Sequence, residues 1–151
     1  PTLKNLCEKL ACYKIPETLV HGDLHLNNVA LCEDNYIFFD WIDACIAHPF
    51  FDLFLLSREN KQRSSKMWLA DLLTRKSREH EWDQYLSQWR HYETKERLLE
   101  AWKIARPLAA LHYAITYQNM RHISRIKQEA SGSVPYFLRY VINSLHNTAI
   151  S

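Results

Sequence analysis

The chain has 151 residues, of which 47% are hydrophobic and 13% aromatic, and its formal net charge is +2. A chain of this length can bury a substantial core as one domain, and this composition excludes a disordered protein. The nearly balanced charge gives no indication of a nucleic-acid partner, and no apolar run approaches the roughly 20 residues of a membrane-spanning helix.

Apolar spacing predicts a mostly helical chain that contains one small β-hairpin. Residues 2–13 have the spacing of a helix, whereas 29–32 and 36–39 are short apolar runs typical of strands. Pro49 suits the first turn of the next helix. Further helices are predicted over 64–76, 79–91, 95–128 and 134–148. Pro107 lacks an N–H group, so we expect it to kink or divide the third of these.

The four cysteines indicate a reduced protein. Cys7, Cys12, Cys32 and Cys45 include no C-x-x-C pair, and no charged-then-apolar leader is present. Cys32 and Cys45 stand in apolar runs, so we expect both to be buried as small hydrophobic residues. A cytoplasmic location is the expectation that follows.

The predicted hairpin brings two polar side chains together. If its turn is centred on Asp34, Cys32 faces Tyr36 and Asn28 faces Asp40. Directly opposed residues have Cβ atoms about 4.5–5.5 Å apart. Because the strands are otherwise apolar, we expect this pair to be nearly buried, and an unpaired buried carboxylate is costly. Mg²⁺ removes that cost, since it binds one or two protein oxygens and takes its other ligands from water and phosphate.

Asp23 precedes the hairpin in a loop and is a candidate general base. There it can orient a substrate hydroxyl and accept its proton, and phosphoryl transfer needs little beyond positioning and charge stabilisation. The alternative is that the polar residues only cap the strand ends and that Asp23 is an ordinary turn residue. Three suitable residues in register favour the metal site.

The loop has the spacing of a kinase catalytic loop. The string HGDLHLNN at 21–28, with Asp40 downstream, resembles the H-R-D-x-x-x-x-N segment and the metal-binding Asp of protein kinases. However, Gly22 stands in place of the Arg, and Trp-Ile at 41–42 stands in place of Phe-Gly. Only eight residues separate Asp40 from Pro49, which leaves no room for a peptide-binding platform. We therefore expect a small substrate.

Together with FDWIDA at 39–44 and PFFDL at 49–53, this string resembles the aminoglycoside phosphotransferase and choline kinase superfamily. The resemblance implies the C-terminal, helical lobe of a protein-kinase-like phosphotransferase, without the N-terminal lobe that clamps the nucleotide. It implies transfer of the γ-phosphoryl group of ATP, with Mg²⁺, to a hydroxyl of an aminoglycoside, choline or another small metabolite. Within this single lobe we expect a helix at 1–14, the catalytic loop and metal-binding hairpin at 15–48, and a helical subdomain at 49–151.

The same resemblance implies a role for each site residue. Asp23 corresponds to the catalytic base, Asn28 and Asp40 to the magnesium ligands, His21 and Asp52 to residues that support the loop, and His25 and Asp43 to candidates for contact with substrate or metal. Asp52 is expected to accept hydrogen bonds from the loop backbone. With only two glycines, the chain has no Gly-rich phosphate-binding loop. We therefore expect a fragment that is inactive until the missing lobe is supplied.

Two other functions remain open. A non-catalytic kinase-like binding module is disfavoured because Asp23, Asn28 and Asp40 are all present. A metal-dependent phosphoesterase is suggested by Gly-Asp-x-His at 22–25, but the sequence lacks the Asp-x-His and Gly-Asn-His strings that such an enzyme would need.

The aromatic residues of the helices suit either a packed core or a pocket for a quaternary ammonium group, and we favour the core. They are Trp68, Trp82, Trp89, Trp102, Tyr113 and Tyr117. His112 shows no second ligand at metal-binding spacing, so we expect it to be a packing or surface residue.

Overall fold

The computed structural model describes residues 2–33, 35–59, 83–123 and 133–149. The helices are α1 (Leu3–Ala11), α2 (Asp52–Glu59), α3 (Lys95–Ile123) and α4 (Ser133–Ala149), and residues 83–87 are also helical. The strands are β1 (Thr18–Val20), β2 (Val29–Cys32), β3 (Asn35–Phe38) and β4 (Cys45–Ala47). Short 3-10 helices occupy Leu26–Asn28, Trp41–Asp43 and Pro49–Phe51. The predicted fold class, mostly helical with a small β-hairpin, is confirmed; the helix predicted at 64–76 lies outside the described residues.

The register of the hairpin differs by one residue from the prediction. Val29 pairs with Phe38 and Cys32 with Asn35, so a two-residue connection replaces the turn centred on position 34. Glu33, the first residue of that connection, has a φ of +47°. Tight two-residue hairpin turns need positive φ, because only then does their twist match that of the strands. The expected pairing of Asn28 with Asp40 is therefore wrong: the Asn28 carbonyl instead accepts a hydrogen bond from the Phe39 N–H at 3.1 Å.

A second antiparallel sheet, which the sequence did not indicate, places the start of the loop at 21–28. β1 pairs with β4, with Thr18 opposite Ala47 and Val20 opposite Cys45. The start of the loop that follows β1 therefore lies beside the end of the segment that precedes β4. Three-residue strands separated by this much chain carry no local signal, because their pairing is a tertiary contact.

The core lies between the helices and is centred on aromatic rings. Phe50 is fully buried, and the rings of Trp89 and Trp102 meet it edge-on at centroid distances of 6.2 and 6.5 Å. Tyr113 is also fully buried and stacks on Phe54 at 5.9 Å. These contacts agree with the core interpretation for the aromatic residues that are described; Trp68 and Trp82 lie outside the described residues.

Helix α3 is not divided at Pro107. It runs from Lys95 to Ile123 without interruption, although the proline removes one hydrogen bond from the helix. Ala105 and Ala109, on either side of it, are fully buried in the core. Packing along the whole helix therefore outweighs the local cost, so Pro107 does not divide the helix, while the alternative of a kink stays a prediction.

The positions of the cysteines also correct the sequence interpretation. Cys32 is exposed because the strands β2 and β3 leave most of their side chains in solvent, and Cys45, on β4, is only half-buried. None of the helices that the structure describes combines the length and the apolar character that crossing a bilayer requires.

Candidate active site

Asp52 holds the start of the loop at 21–28. Its carboxylate accepts hydrogen bonds from the backbone N–H groups of His21 at 2.7 Å and Gly22 at 3.0 Å. Burial raises the pKa of Asp52, and the two hydrogen bonds oppose that shift. Because Asp52 is the first residue of α2, the loop is attached to the beginning of a helix that packs into the core. This is the hydrogen bonding that the resemblance implied for Asp52.

His21 connects the loop to the end of β3. It is only 2% exposed, and its Nε2 lies 2.8 Å from the Phe39 carbonyl oxygen. Its Nδ1 accepts a hydrogen bond from the Asp23 backbone N–H at 3.3 Å, so Nε2 must carry the proton that it donates to Phe39. The ring also packs on Trp41 at a centroid distance of 4.7 Å. These contacts make His21 a structural support, with no free nitrogen for proton transfer.

Gly22 allows the loop to touch the segment after β3. Its φ is +80°, and a Cβ atom built there would lie 2.1 Å from the carbonyl oxygen of Asp43. No real Cβ atom tolerates such a contact, and the other atom within 3 Å is also backbone. A residue with a side chain, such as the arginine of protein kinases, does not fit here. The glycine is therefore a requirement of the close approach between the two segments.

Asp23 stands between two polar side chains. Its Oδ1 accepts a hydrogen bond from the Tyr117 hydroxyl at 3.1 Å, and its Oδ2 lies 3.4 Å from Nε2 of His25. The Asp23 side chain keeps 19% of its surface accessible. A carboxylate held on both sides but still open to solvent is suited to meet a substrate hydroxyl.

Tyr117 is a site residue that the sequence interpretation missed. It was assigned to the core together with the other helical aromatic residues, and its ring does pack on Phe137 at 5.6 Å. Helical spacing correctly places it on the face of Tyr113, four residues earlier. Nothing in the sequence indicates that this face reaches the loop 94 residues upstream.

Asn28 is buried and oriented by the loop. It is 6% exposed, and its Nδ2 donates a hydrogen bond to the backbone carbonyl of Asp23 at 3.0 Å. Its own backbone N–H donates to the His25 carbonyl at 2.9 Å. The hydrogen bond to Asp23 uses the amide NH₂ group of Asn28 and not its oxygen.

Asp40 is exposed, which corrects the expectation of a nearly buried pair with Asn28. Its backbone is in the left-handed region, with φ 63° and ψ 57°. Aspartate is among the few residues that adopt this region at moderate cost, and such strain tends to occur at functional sites. The conformation turns the chain directly into the 3-10 helix Trp41–Asp43.

Three carboxylates converge beside the loop. The pKa of Asp43 is raised, first by burial and then by the negative charges of Asp23 and Asp40. A cation among these groups would relieve their repulsion, and the available donors are the oxygen ligands that Mg²⁺ prefers. No cluster of three or more His, Cys, Asp or Glu side chains suited to a metal occurs within the described ranges. The side-chain oxygens of Asn28 and Asp40 are of the ligand type that Mg²⁺ accepts, and this ion usually takes most of its ligands from phosphate and water.

His112 of α3 lies close to these acids. Burial lowers its pKa, while the charges of Asp52 and Asp43 raise it to a smaller extent. Its ring contacts Phe51 at a centroid distance of 5.6 Å. It is thus a packing residue, as the sequence predicted, but one that lies at the back of the site.

Comparison with known proteins finds a matching family. A family model described as "Phosphotransferase enzyme family" matches residues 4–87, which are 84 of the 151 residues. The match includes the loop, both sheets and α2. No curated protein and no solved structure matches the chain.

Proposed function

The chain belongs to the phosphotransferase enzyme family, and on this premise we propose that it carries the catalytic and metal-binding residues of an ATP-dependent kinase for small molecules. One observation carries the proposal. The carboxylate of Asp23 is held in a loop fastened by Asp52, with Asn28 bonded to its backbone and the acids Asp40 and Asp43 close by. A base beside a Mg²⁺ site is what phosphoryl transfer to a hydroxyl requires.

The proposed reaction assigns one role to each group. Asp23 accepts the proton of the substrate hydroxyl while the oxygen of that hydroxyl bonds to the γ-phosphorus of ATP. The bond from that phosphorus to the bridging oxygen breaks, and the electron pair leaves with ADP. Mg²⁺ held by Asn28 and Asp40 would neutralise charge on the phosphates. His21 and Asp52 keep the loop in place, and the proposal assigns His25 and Asp43 to contact with the substrate or the metal.

We propose that the hairpin is the docking surface for a second lobe. Leu31 and Tyr36 face each other across the hairpin, and they are 65% and 71% exposed. Apolar surface of this kind usually marks an interaction site. We propose that a nucleotide-clamping lobe of the same protein covers the hairpin and encloses ATP, and that the chain turns over little ATP without it. The acceptor is a small molecule with a free hydroxyl.

The test uses the full-length protein and measures Mg²⁺-dependent formation of ADP from ATP. Asp23→Ala and Asp40→Ala should each lower turnover about 100-fold or more, because a general base and a metal ligand are lost. Asp83→Ala is the matched control, since that acid pairs with Lys95 at the surface. Far-ultraviolet circular dichroism should be unchanged in all three variants.

Two results would contradict the proposal. Turnover that persists in both site variants would show that these carboxylates do not act in catalysis. A wild-type protein that binds ATP but never turns it over, under any acceptor tested, would favour a non-catalytic kinase-like binding module.

A further inference from the structure

Tyr117 makes a contact that the proposed reaction does not yet explain. It lies on α3, and its hydroxyl is 3.1 Å from Oδ1 of Asp23. Its ring is held by Phe137, at a centroid distance of 5.6 Å. One helical turn earlier, the buried Tyr113 donates from its hydroxyl to the Phe51 carbonyl at 3.4 Å. This stretch of α3 is therefore attached at two points to the segments that build the site.

The direction of the hydrogen bond follows from the two groups. An ionised carboxylate only accepts hydrogen bonds, so the tyrosine must be the donor. The pKa of Tyr117 is raised, first by burial and then by the charge of Asp23 and the hydrogen bond to it. The hydroxyl consequently keeps its proton throughout the pH range in which a kinase works. Hydrogen bonds to a charged acceptor are stronger than those between neutral groups.

We infer that Tyr117 is a positioning residue for the catalytic base. Its hydroxyl holds Oδ1 of Asp23 towards α3 and leaves Oδ2, the oxygen beside His25, to accept the proton of the substrate. A carboxylate without this bond would rotate about its side-chain torsions and meet the acceptor less often in the correct orientation. The inference deepens the proposed function and rests on it.

A purely structural role makes a different prediction. If Tyr117 only satisfies a buried polar group, its loss should resemble the loss of another tyrosine hydroxyl bonded to the protein. Tyr85 provides that comparison, because its hydroxyl donates to the Pro49 carbonyl at 3.0 Å, away from Asp23. Tyr117→Phe and Tyr85→Phe are therefore matched variants.

The first experiment measures ADP formation from Mg²⁺-ATP over a range of ATP concentrations in the full-length protein. Tyr117→Phe should lower kcat about tenfold and leave KM for ATP unchanged, since the bond acts on the base and not on the nucleotide. Tyr85→Phe should change only the melting temperature. A Tyr117→Phe enzyme with the wild-type kcat would overturn the inference.

A second measurement does not depend on activity. The Cζ carbon-13 resonance of Tyr117, assigned by its absence in Tyr117→Phe, should shift at neutral pH in Asp23→Asn but not in Asp83→Asn. An unchanged resonance together with lost turnover in Asp23→Asn would overturn the inference and leave the proposed function intact. A shifted resonance with retained turnover would overturn the proposed function, and the inference with it.

Discussion

Gly22 shows how far the site depends on one residue. Its backbone lies against the carbonyl of Asp43, and its N–H is bonded to Asp52. The position therefore needs both a positive φ and the absence of a side chain. This gives a physical reason for the glycine that separates this loop from that of protein kinases.

We predict that Gly22→Ala lowers the free energy of unfolding by at least about 2 kcal/mol, through backbone strain and overpacking. Urea denaturation measures this loss. The double variant Gly22→Ala with Asp43→Ala should show no rescue, because the nearest atoms are the backbone carbonyl oxygen and carbon of Asp43. Recovery of stability in the double variant would show that side chains, and not backbone, set the contact.

At the scale of elements, the junction between β4 and α2 depends on a histidine cap. Nδ1 of His48 accepts a hydrogen bond from the Phe50 N–H at 3.2 Å at the start of the 3-10 helix Pro49–Phe51. Burial lowers the pKa of His48 to about 4. The ring is therefore neutral in the folded protein under ordinary conditions, and Asp52 follows directly after this short helix.

The shift of His48 predicts a pH dependence of stability. The unfolded chain takes up a proton near its ordinary pKa of 6.5, whereas the folded chain does so only near pH 4. The free energy of unfolding is therefore unaffected by His48 above about pH 6.5. It falls as the pH decreases towards about 4, by at most about 3 kcal/mol from this residue. Urea unfolding at several pH values across this range measures the slope.

His48→Asn is the informative variant, because asparagine can still cap the helix but does not titrate. The free energy of unfolding of this variant should depend less steeply on pH than that of the wild type. Above neutral pH the curves of the two proteins should run parallel. The comparison is needed because the raised pKa values of Asp43 and Asp52 act in the opposite direction. Equal slopes in both proteins would contradict the prediction.

On the scale of the whole molecule, the helices and the hairpin differ in how much of their apolar surface is buried. The helices bury their apolar faces in a common core, whereas β3 is exposed along its whole length. The hairpin thus presents apolar side chains at the edge of the site, where the proposed second lobe would bind.

We predict that the 151-residue chain by itself associates through the hairpin. Tyr36→Lys should reduce the association seen in sedimentation velocity over a range of concentrations, because it places a charge on the apolar surface. Ile142→Lys is the control, since Ile142 is 51% exposed on α4. Association that is equal in both variants, or absent from the wild type, would show that the chain does not associate through the hairpin.

Part of the site could be predicted because its chemistry is local. The string HGDLHLNN and the acid at position 40 lie within 20 residues of each other, and their resemblance to a kinase catalytic loop predicts a base and a metal site. Apolar periodicity likewise predicted α1 and α4 to within two residues and the first residue of α3, because burial of one face determines which residues form a helix.

The remaining features arise from contacts between distant segments. The predicted hairpin register was wrong by one residue because Glu33, which adopts the positive φ of the turn, is not a residue type that indicates such a turn. The pairing of β1 with β4 and the continuity of α3 through Pro107 had no local indicator either. The residue types and spacing of the loop thus determined the candidate chemistry, while only the tertiary structure decided that Tyr117 meets Asp23 and that Gly22 meets Asp43. Such contacts depend on packing free energy summed over the whole core, which no short stretch of sequence contains.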